Sequence, residues 1–582
     1  MNIDDIQPGM KGVGKTVFSG TTVEEFDVEI LGVLKNESPH GDVIMAKISG
    51  GPLPIEKFGI IAGMSGSPVY IDGKLIGAVA FGSIFPKEPM IAGITPIHEM
   101  LADAERVASD GKTSRNTAVP ISGFTVSSTY PSNFVPIQTP LVVSGVDPRV
   151  LTFMQARLAS FGMFPVQGGA VSQELAQKAN PEFQPGSAIG VQLIRGDMNA
   201  SAVGTLTYRD NDKIIAFGHP MFSAGNVNFP MTSAYVHFIM SNQIIPYKVT
   251  SPLDTVGTIT QDRRAGISGV LGLPPRMVPL KVSVQYDGEP TTVKPYFFEV
   301  IDHPLFVPLL MSMAGSEALL ATENVLGDAT IQTQTTIALK EHAPLTVTEM
   351  FTGKQNILMG VAQAFAPLNA LLLNSFAPVS LEQVSVAITV KHTIQLAEIV
   401  GVHIQDNVVR PGELVEATIS LAPYGEELIT ITEGFRIPED LQQEKIQLLI
   451  CDANLNNAIE AARAAPKFQP QNLDQLIRLL GEHVSQNHMI MSLLQIKPGV
   501  ILQGQEFPSP PVSMLSLVGA PKRSAGEDNL TRGRILMRKD IPTQYIVSGG
   551  VALELTIDHS NKGTDGSMEE NVKPMQGESL PW

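Results

Sequence analysis

The sequence is poor in cysteine, with one among 582 residues. A single cysteine excludes an internal disulfide framework and any metal cluster built from several thiolates. Cys451 lies in the apolar run LLICDA, which is typical of a buried small hydrophobic residue. An HExxH motif and paired His/Asp spacings are missing as well, so the sequence predicts no metal and no cofactor.

Positive charge is also scarce, since 40 Lys and Arg stand against 57 Asp and Glu, which gives a net charge of −17. An acidic surface without a basic stripe repels phosphate backbones, so we expect no nucleic-acid partner. A phosphate-binding GxxxxGK loop is absent too. The segment GVGKT at 12–16 comes nearest, but its spacing does not fit.

Long uninterrupted apolar runs are missing. Two stretches, 304–321 and 357–379, approach membrane length, but polar residues interrupt both, so we expect buried helices and no transmembrane segment. The start, MNIDDIQPGMKG, is polar and acidic and has no visible export signal, although a chain trimmed of its signal would look the same.

Glycine and proline, by contrast, are abundant, with 51 and 43 residues among many runs of Val, Ile and Thr. This composition favours a mainly β chain with frequent turns. Its length predicts about three to five domains, at roughly 100–200 residues each.

The sharpest local signal is the loop GMSGSP at 63–68, which precedes the apolar hairpin VYIDGKLIGAVAFG. A serine hydroxyl is a poor nucleophile unless a base takes its proton and nearby donors stabilise the oxyanion. The glycines let the backbone N–H groups of Gly63 and Ser65 turn toward one point without Cβ clashes. The loop therefore predicts Ser65 as nucleophile, with Gly63 and Ser65 as the oxyanion hole. A glycine–serine turn without chemistry is the alternative.

The base has to come from elsewhere in the chain. Among 11 histidines, His219 stands out because KIIAFGHPMFSAG places it directly after an apolar strand, between Gly218 and Pro220. A strand end holds an imidazole rigidly, and the neighbouring glycine leaves its face open. His98 and His237 lie on apolar periodic segments, where a core or surface histidine is the usual interpretation.

These segments resemble the SpoIVB peptidase family, bacterial serine peptidases of sporulation signalling. GMSGSPVYIDGKLIGAV is similar to the family's nucleophile segment, and GTLTYRDNDKIIAFGHP is similar to its histidine segment. VGTITQDRRAGISGVLG resembles the glycine-rich stretch that follows the histidine. The resemblance covers residues 5–105 and 186–290. It implies a chymotrypsin-like double β-barrel and a serine endopeptidase that cleaves a protein or peptide substrate by Ser/His acyl transfer.

Two departures from the family pattern matter. In the family the histidine precedes the serine, whereas here Ser65 comes first, which implies a permuted order of the barrels. A catalytic triad is defined by geometry, so this order is acceptable. The family also carries an Asp about 15 residues before the serine, where this chain has Ile48, Ser49 and Gly50.

The acid is therefore sought in the histidine's own barrel. In chymotrypsin-like barrels it follows the histidine by about 45 residues, which points to Asp262 in TQDRRAG, with Asp254 as the next choice. Pairing of Asp262 with Arg263 or Arg264 is the alternative. A Ser/His dyad without an acid stays open as well.

The predicted fold is mainly β, a permuted chymotrypsin-like double β-barrel with additional α+β and β-sandwich domains. The sandwich assignment is based on period-2 alternation around a Pro-Gly turn. The predicted segments are a serine-bearing barrel (1–108), a linker with a small α/β insertion (109–185), a histidine-bearing barrel (186–297), an α+β segment (298–380), a β-sandwich (381–452), a C-terminal α+β domain (453–558) and a flexible tail (559–582).

The resemblance also implies a periplasmic or cell-envelope location and an envelope protein partner, with a cytoplasmic location left open. Two other functions compete with the peptidase. One is a catalytically inactive scaffold or binding protein of the envelope on the same barrels, which the missing acid favours. The other is an adhesin-like β-protein, in which Ser65 and His219 would lie far apart.

Overall fold

The structure is a computed structural model. It describes the whole chain except residues 39–40, 84–88, 107–133, 173, 175, 177–181, 243–244, 288–292, 323–327, 354–356, 443, 503–504, 509, 519–529 and 561–582. The first part of the predicted linker and insertion, 109–133, and nearly all of the predicted tail lie outside the described residues. The chain divides into two units, Met1–Lys281 with Tyr296–Ala321, and Val282–Pro295 with Thr322–Trp582.

The first unit begins with a closed antiparallel barrel of six strands in the order β4-β1-β2-β3-β6-β5, closed by pairing of β5 with β4. Its elements are β1 (Lys11–Val17), β2 (Val23–Ser38), β3 (Gly41–Ser49), α1 (Ile55–Phe58), β4 (Pro68–Ile71), β5 (Lys74–Ser83), β6 (Ile91–Pro96) and α2 (Ile97–Glu105). Alternate residues along β3 point inward, and Phe26, Ile44, Met64 and Val79 belong to the buried core.

A short connecting segment follows, with β7 (Phe134–Pro136), β8 (Thr139–Ser144), α3 (Pro148–Leu158) and β9 (Met163–Gln167). Asp147 caps α3 by accepting the Arg149 N–H at 2.8 Å, and proline at the first helical position fits the fixed φ of that site. β7 extends the edge of the first barrel beside β5, while β8 and β9 pair in parallel.

A second closed antiparallel barrel has the strand order β10-β13-β14-β15-β12-β11, with β11 pairing back to β10. The strands are β10 (Ala188–Gly196), β11 (Asn199–Asp210), β12 (Lys213–Ala216), β13 (Gly225–Met240), β14 (Tyr247–Arg263) and β15 (Gly266–Leu271). Backbone bridges join the two barrels at Gly20–Val236 and Ala62–Tyr247. The predicted double barrel is confirmed, and both barrels belong to one unit.

The chain passes between the units within β16 (Met277–Tyr286) and β17 (Lys294–Ile301), and at the end of α4 (Val307–Thr322). Helix α4 covers much of the apolar stretch 304–321 and is buried on nearly all sides, as the sequence predicts. Its Glu317 accepts the backbone N–H of Asp147 at 2.7 Å. In the described part of the chain, no helix combines the length and apolar character that a membrane crossing needs.

The second unit contains a β-sandwich. Its two sheets have the orders β24-β23-β21-β30 and β22-β31-β25-β26-β29, and they enclose a common core that includes Ile419, Phe435, Ile450 and Met491. The unit's elements are β18 (Ala329–Leu339), β19 (Leu345–Gly353), α5 (Ile357–Ala364), α6 (Ala366–Leu372), β20 (Leu381–Lys391), β21 (Leu396–Ile404), β22 (Val408–Val409), β23 (Leu414–Pro423), β24 (Ile429–Arg436), β25 (Lys445–Asp452), α7 (Ala453–Arg463), α8 (Leu473–Gly481), β26 (His488–Gln495), β27 (Val500–Leu502), β28 (Gln505–Phe507), α9 (Val512–Val518), β29 (Arg534–Pro542), β30 (Ile546–Ser548) and β31 (Gly550–Ile557).

Candidate active site

Ser65 lies in the loop between α1 and β4, and two glycines shape its path. Gly63 and Gly66 have φ angles of 98° and 95°, which disfavour any residue with a Cβ. A Cβ on Gly66 would lie 2.0 Å from the carbonyl oxygen of Thr205 and 2.5 Å from the nitrogen of Phe217. The glycine after the serine therefore permits close contact between the loop and the second barrel.

The loop is anchored to its own barrel by short hydrogen bonds. Ser67 donates its hydroxyl to the carbonyl oxygen of Met64 at 2.6 Å, and its backbone N–H donates to the same oxygen at 2.9 Å. The Gly66 N–H donates to the carbonyl oxygen of Val79 on β5 at 2.8 Å. The second serine of GMSGSP is thus a structural residue that closes the turn.

Strand β11 of the second barrel holds the other side of the loop. The Thr205 N–H donates to the carbonyl oxygen of Ser65 at 2.8 Å. Its hydroxyl donates to the carbonyl oxygen of Gly63 at 3.0 Å, and the Thr207 hydroxyl donates to that of Gly66 at 2.7 Å. Three hydrogen bonds from one strand therefore fix the loop that carries Ser65 to the barrel that carries His219.

His219 follows β12 in a turn with unusual backbone angles. Phe217 and Gly218 have φ angles of 71° and 72°, and a left-handed conformation is strained for a buried phenylalanine. The Thr95 hydroxyl on β6 of the first barrel donates to the Gly218 carbonyl oxygen at 2.6 Å. Strained backbone held by surrounding contacts is common at functional sites, which supports a role for this turn.

The two predicted catalytic groups lie in adjoining buried loops. Ser65 is fully buried and His219 is 3% exposed. Within the described residues, neither Ser65 Oγ nor His219 Nε2 has a hydrogen-bond partner, so no hydrogen bond joins them in this state. An unsatisfied buried hydroxyl and an unsatisfied buried imidazole nitrogen each cost free energy, about 1–3 kcal/mol.

The imidazole has an acceptor behind it, although not a carboxylate. His219 Nδ1 lies 2.9 Å from the carbonyl oxygen of Pro220, which requires the proton to be on Nδ1 and leaves Nε2 free to accept a proton. Burial lowers the pKa of His219 below its usual value, and the contact with Pro220 opposes this shift only in part. The imidazole is therefore neutral at pH 7, the form in which Nε2 can accept a proton.

Asp262 lies on β14 and is fully buried, but its hydrogen bonds go to the histidine's loop and not to the imidazole. Its carboxylate accepts the backbone N–H groups of Met221, Phe222 and Ala224 at 2.8, 2.7 and 3.2 Å. Burial raises the pKa of Asp262, and these N–H groups act in the opposite direction.

The arginines next to Asp262 have other partners. Arg264 forms an ion pair with Glu99 at 2.5 Å, and Arg263 bonds to Gln261 and Asn226. Ser49, the residue at the family's acid position, stands opposite Asp27 across β2 and β3. Asp262 thus holds the segment that begins two residues after His219.

The predicted oxyanion hole has free donors. Among the described residues, the N–H groups of Gly63 and Ser65 donate to no other group, while the intervening Met64 N–H donates to the carbonyl oxygen of Ile61 at 2.9 Å. This alternation leaves two unused donors, one on Ser65 itself and one two residues before it, and stabilisation of an oxyanion requires such donors. Over the same residues, no cluster of His, Cys, Asp or Glu could hold a metal ion.

Lys248 is a candidate that the sequence analysis did not identify. It lies on β14, is fully buried, and donates from Nζ to the hydroxyl of Thr16 at 2.8 Å. Burial lowers its pKa to about 7. In the sequence, one lysine within IIPYKVTSPL is typical of the exposed face of a strand, so only the three-dimensional packing reveals its position.

Two closed six-stranded antiparallel barrels with a serine loop and a histidine turn where they meet define the chymotrypsin-like class of double-barrel proteins. Residues 3–101, the first barrel with Ser65, match the family model of the SpoIVB peptidase S55. His219 and Asp262 lie outside the matched region. No protein of curated function and no solved structure matches the chain.

Proposed function

We propose that the chain is a serine endopeptidase of the SpoIVB type, with Ser65 as nucleophile and His219 as general base. One observation carries this proposal: the serine loop of the first barrel packs against β11 and against Phe217 at the start of the histidine turn. Each of these two loops carries a buried polar atom without a partner among the described residues, Ser65 Oγ and His219 Nε2. The family match over the first barrel supports a protein substrate.

In the proposed reaction, the substrate's peptide carbonyl carbon is attacked by Ser65 Oγ while His219 Nε2 takes the hydroxyl proton. The N–H groups of Gly63 and Ser65 receive the negative charge on the carbonyl oxygen. The imidazolium then gives its proton to the leaving amine, and water hydrolyses the acyl-enzyme by the reverse sequence. Hydrogen bonds between catalytic groups are often incomplete without substrate, so the open Ser65–His219 pair closes as substrate binds.

Asp262 has a supporting role in this proposal. By accepting three N–H groups of the loop after Pro220, it holds the Pro220 carbonyl oxygen against His219 Nδ1. The backbone carbonyl then stabilises the imidazolium, and Asp262 acts as a positioning residue. A periplasmic or cell-envelope location, with an envelope protein as partner, belongs to the same proposal.

A catalytically inactive scaffold of the cell envelope is the second candidate. The complete burial of Ser65 favours it, and so does the lack of a carboxylate bonded to the imidazole among the described residues. A fluorophosphonate probe separates the two functions, because it phosphonylates only an activated serine.

The expected result is covalent labelling of the wild-type chain that is lost in Ser65→Ala and reduced at least a hundredfold in His219→Gln. Ser67→Ala is the matched control for the neighbouring serine, provided that its fold is intact by circular dichroism. Mass spectrometry of the labelled peptide identifies the modified residue. An unlabelled, folded wild-type protein would leave the scaffold as the function.

A further inference from the structure

Lys248 packs directly beneath the nucleophile loop. Its backbone N–H donates to the carbonyl oxygen of Ala62 at 3.0 Å. A Cβ built on Gly63 would lie 3.1 Å from Lys248 Cδ and 3.2 Å from Cγ, so the aliphatic part of the lysine fills the space under Gly63. Gly63, two residues before Ser65, therefore packs against this side chain.

The ammonium end of Lys248 reaches the same loop through two hydroxyl groups. Nζ donates to Thr16 Oγ1 at 2.8 Å, and Thr16 Oγ1 lies 3.3 Å from Thr205 Oγ1. The Thr205 hydroxyl donates its one proton to the Gly63 carbonyl oxygen at 3.0 Å, so Thr16 must be the donor to Thr205. The result is a chain of donors directed from the lysine to the loop, and all three side chains are fully buried.

This arrangement is costly. Burial of an ammonium without a counter-ion is unfavourable, and no carboxylate of the described residues forms an ion pair with Lys248. A methionine would fill a similar volume without that cost. Lysine at this position needs a reason other than packing, and the hydrogen-bond chain to Gly63 supplies one.

We propose that Lys248 is a positioning residue which, through Thr16 and Thr205, holds the carbonyl oxygen of the Gly63–Met64 peptide unit and thereby orients the Gly63 and Ser65 N–H groups on either side of it, which receive the oxyanion. Gly63 has no Cβ and a φ of 98°, so its peptide rotates easily unless an outside group holds it. The catalytic part of this inference rests on the serine-peptidase function proposed above. The loop-fixing part stands on geometry alone.

Three substitutions test the proposal in the full-length chain. Lys248→Met removes the charge and the donor and keeps the volume. Thr16→Val breaks the hydrogen-bond chain and leaves the lysine in place, which provides a second variant if the first does not fold. Thr232→Val is the matched control, because Thr232 is also a fully buried barrel threonine and its hydroxyl has no partner among the described groups.

The first measurement is hydrogen exchange of the peptide that contains residues 60–68. We expect faster exchange of the Met64 and Gly66 amides in Lys248→Met and Thr16→Val, with the remaining barrel amides unchanged and Thr232→Val like wild type. This measurement needs no activity. Unchanged exchange in both variants overturns the inference, whatever the chain catalyses.

The second measurement is saturation kinetics of fluorophosphonate labelling. A loss of oxyanion positioning lowers the maximal labelling rate constant, about tenfold in each variant, at an unchanged half-saturating concentration. The double variant loses no more than either single one, because both break the same chain. A purely structural role would lower the fraction of protein that labels and leave its rate constant unchanged, which contradicts the proposal.

The third measurement separates positioning from stability. Since the buried ammonium is unfavourable, Lys248→Met should melt a few degrees above wild type while it labels more slowly. A lower melting temperature with a normal rate constant overturns the inference and leaves the proposed peptidase intact. Absence of labelling in wild type refutes the peptidase, and hydrogen exchange still decides whether Lys248 fixes the loop.

Discussion

His219 is the residue whose surroundings decide how the site responds to pH. Burial lowers the pKa of its imidazole, so the folded protein binds this proton only below the ordinary histidine value of about 6.5. The unfolded chain binds this proton near pH 6.5. The contribution of His219 to the free energy of unfolding is therefore fully present above pH 6.5 and is lost as the pH falls below that value.

We expect His219→Gln to remove this part of the pH dependence. The measurement is the urea midpoint of unfolding at pH 7.5 and pH 5.0, and the wild-type midpoint should fall more between the two than that of the variant. His303, whose pKa burial lowers to about 4, contributes to both proteins equally and cancels in the comparison. Equal falls in wild type and variant would contradict a buried neutral imidazole.

Asp262→Asn should damage the histidine's loop. An asparagine presents an NH₂ group where the carboxylate accepts three N–H groups, so at least one buried donor loses its partner, at about 1–3 kcal/mol. We expect a loss of about 2 kcal/mol in unfolding free energy and a fall of tenfold or more in labelling rate. Asp254→Asn, an exposed aspartate on the same strand, is the control and should match wild type.

At this scale, sequence patterns predict those groups whose chemistry depends on neighbours in the chain. The glycines around Ser65 and the strand end before His219 are local signals, and the buried position of Cys451 follows from its apolar run. The buried position of Lys248 could not be predicted from the sequence, because its hydrogen-bond partner Thr16 and the Thr205 hydroxyl beyond it lie far away in the chain.

At the scale of elements, the loop that contains Ser65 packs so closely against β11 that only glycine fits at position 66. Gly66→Ala should destabilise the first unit by about 3 kcal/mol or more, since a positive φ adds strain to the overlap with Thr205 and Phe217. Gly73→Ala is the matched control: Gly73 also has a positive φ of 73°, but its Cβ would meet no atom within 4 Å.

Chemical denaturation of both variants measures the difference. Gly73→Ala should cost about 1 kcal/mol, the contribution of backbone strain alone. Similar losses in the two variants would mean that the loop moves away from β11 without penalty, which contradicts the close contact between the barrels.

A hairpin of the first barrel follows from a short sequence signal. Asp72 and Gly73 form the turn between β4 and β5 with φ angles of 49° and 73°, as the IDGK sequence predicts for a two-residue hairpin loop. The long-range pairs of the barrels, such as β1 with β4 and β10 with β13, depend on strand curvature and shear, which no local pattern encodes.

At the scale of the whole molecule, the sandwich extends beyond the segment in which alternation predicts it. Strand β26 lies beyond residue 452 and belongs to the sandwich, yet nearly all of its residues are buried, like those of β25 within the predicted segment, because helix α7 covers the outer face of both strands. Strands buried on both faces look like plain apolar runs, and the neighbouring helices favour an α+β interpretation. The boundaries of the seven segments predicted from the sequence stay a prediction.

The second unit also depends on a buried ion pair. Arg463 bonds to Glu460 at 2.8 Å and to Glu506 at 2.6 and 2.7 Å, with its own side chain 1% exposed. Arg463→Met should cost about 3–5 kcal/mol, because two carboxylates lose their partner. Adding Glu460→Gln and Glu506→Gln should restore part of that loss.

Hydrogen exchange of β25 and β26 reports the stability of this unit separately from the barrels. If Arg463→Met leaves this exchange at the wild-type rate, the ion pair does not hold the sandwich. Faster exchange in the barrels as well would mean that the two units unfold together.

The burial of Cys451 has a practical consequence for the active site. Its thiol is buried in the second unit, and burial raises the pKa of the thiol to about 12. The first unit contains no cysteine. Position 65 is buried as well, so in Ser65→Cys the rate at which iodoacetamide modifies the new thiol would report how often the site opens to solvent, with no other cysteine in the first unit to interfere. The pH dependence of that reaction would report how the imidazole of His219 acts on the nucleophile's position, without any knowledge of the natural substrate.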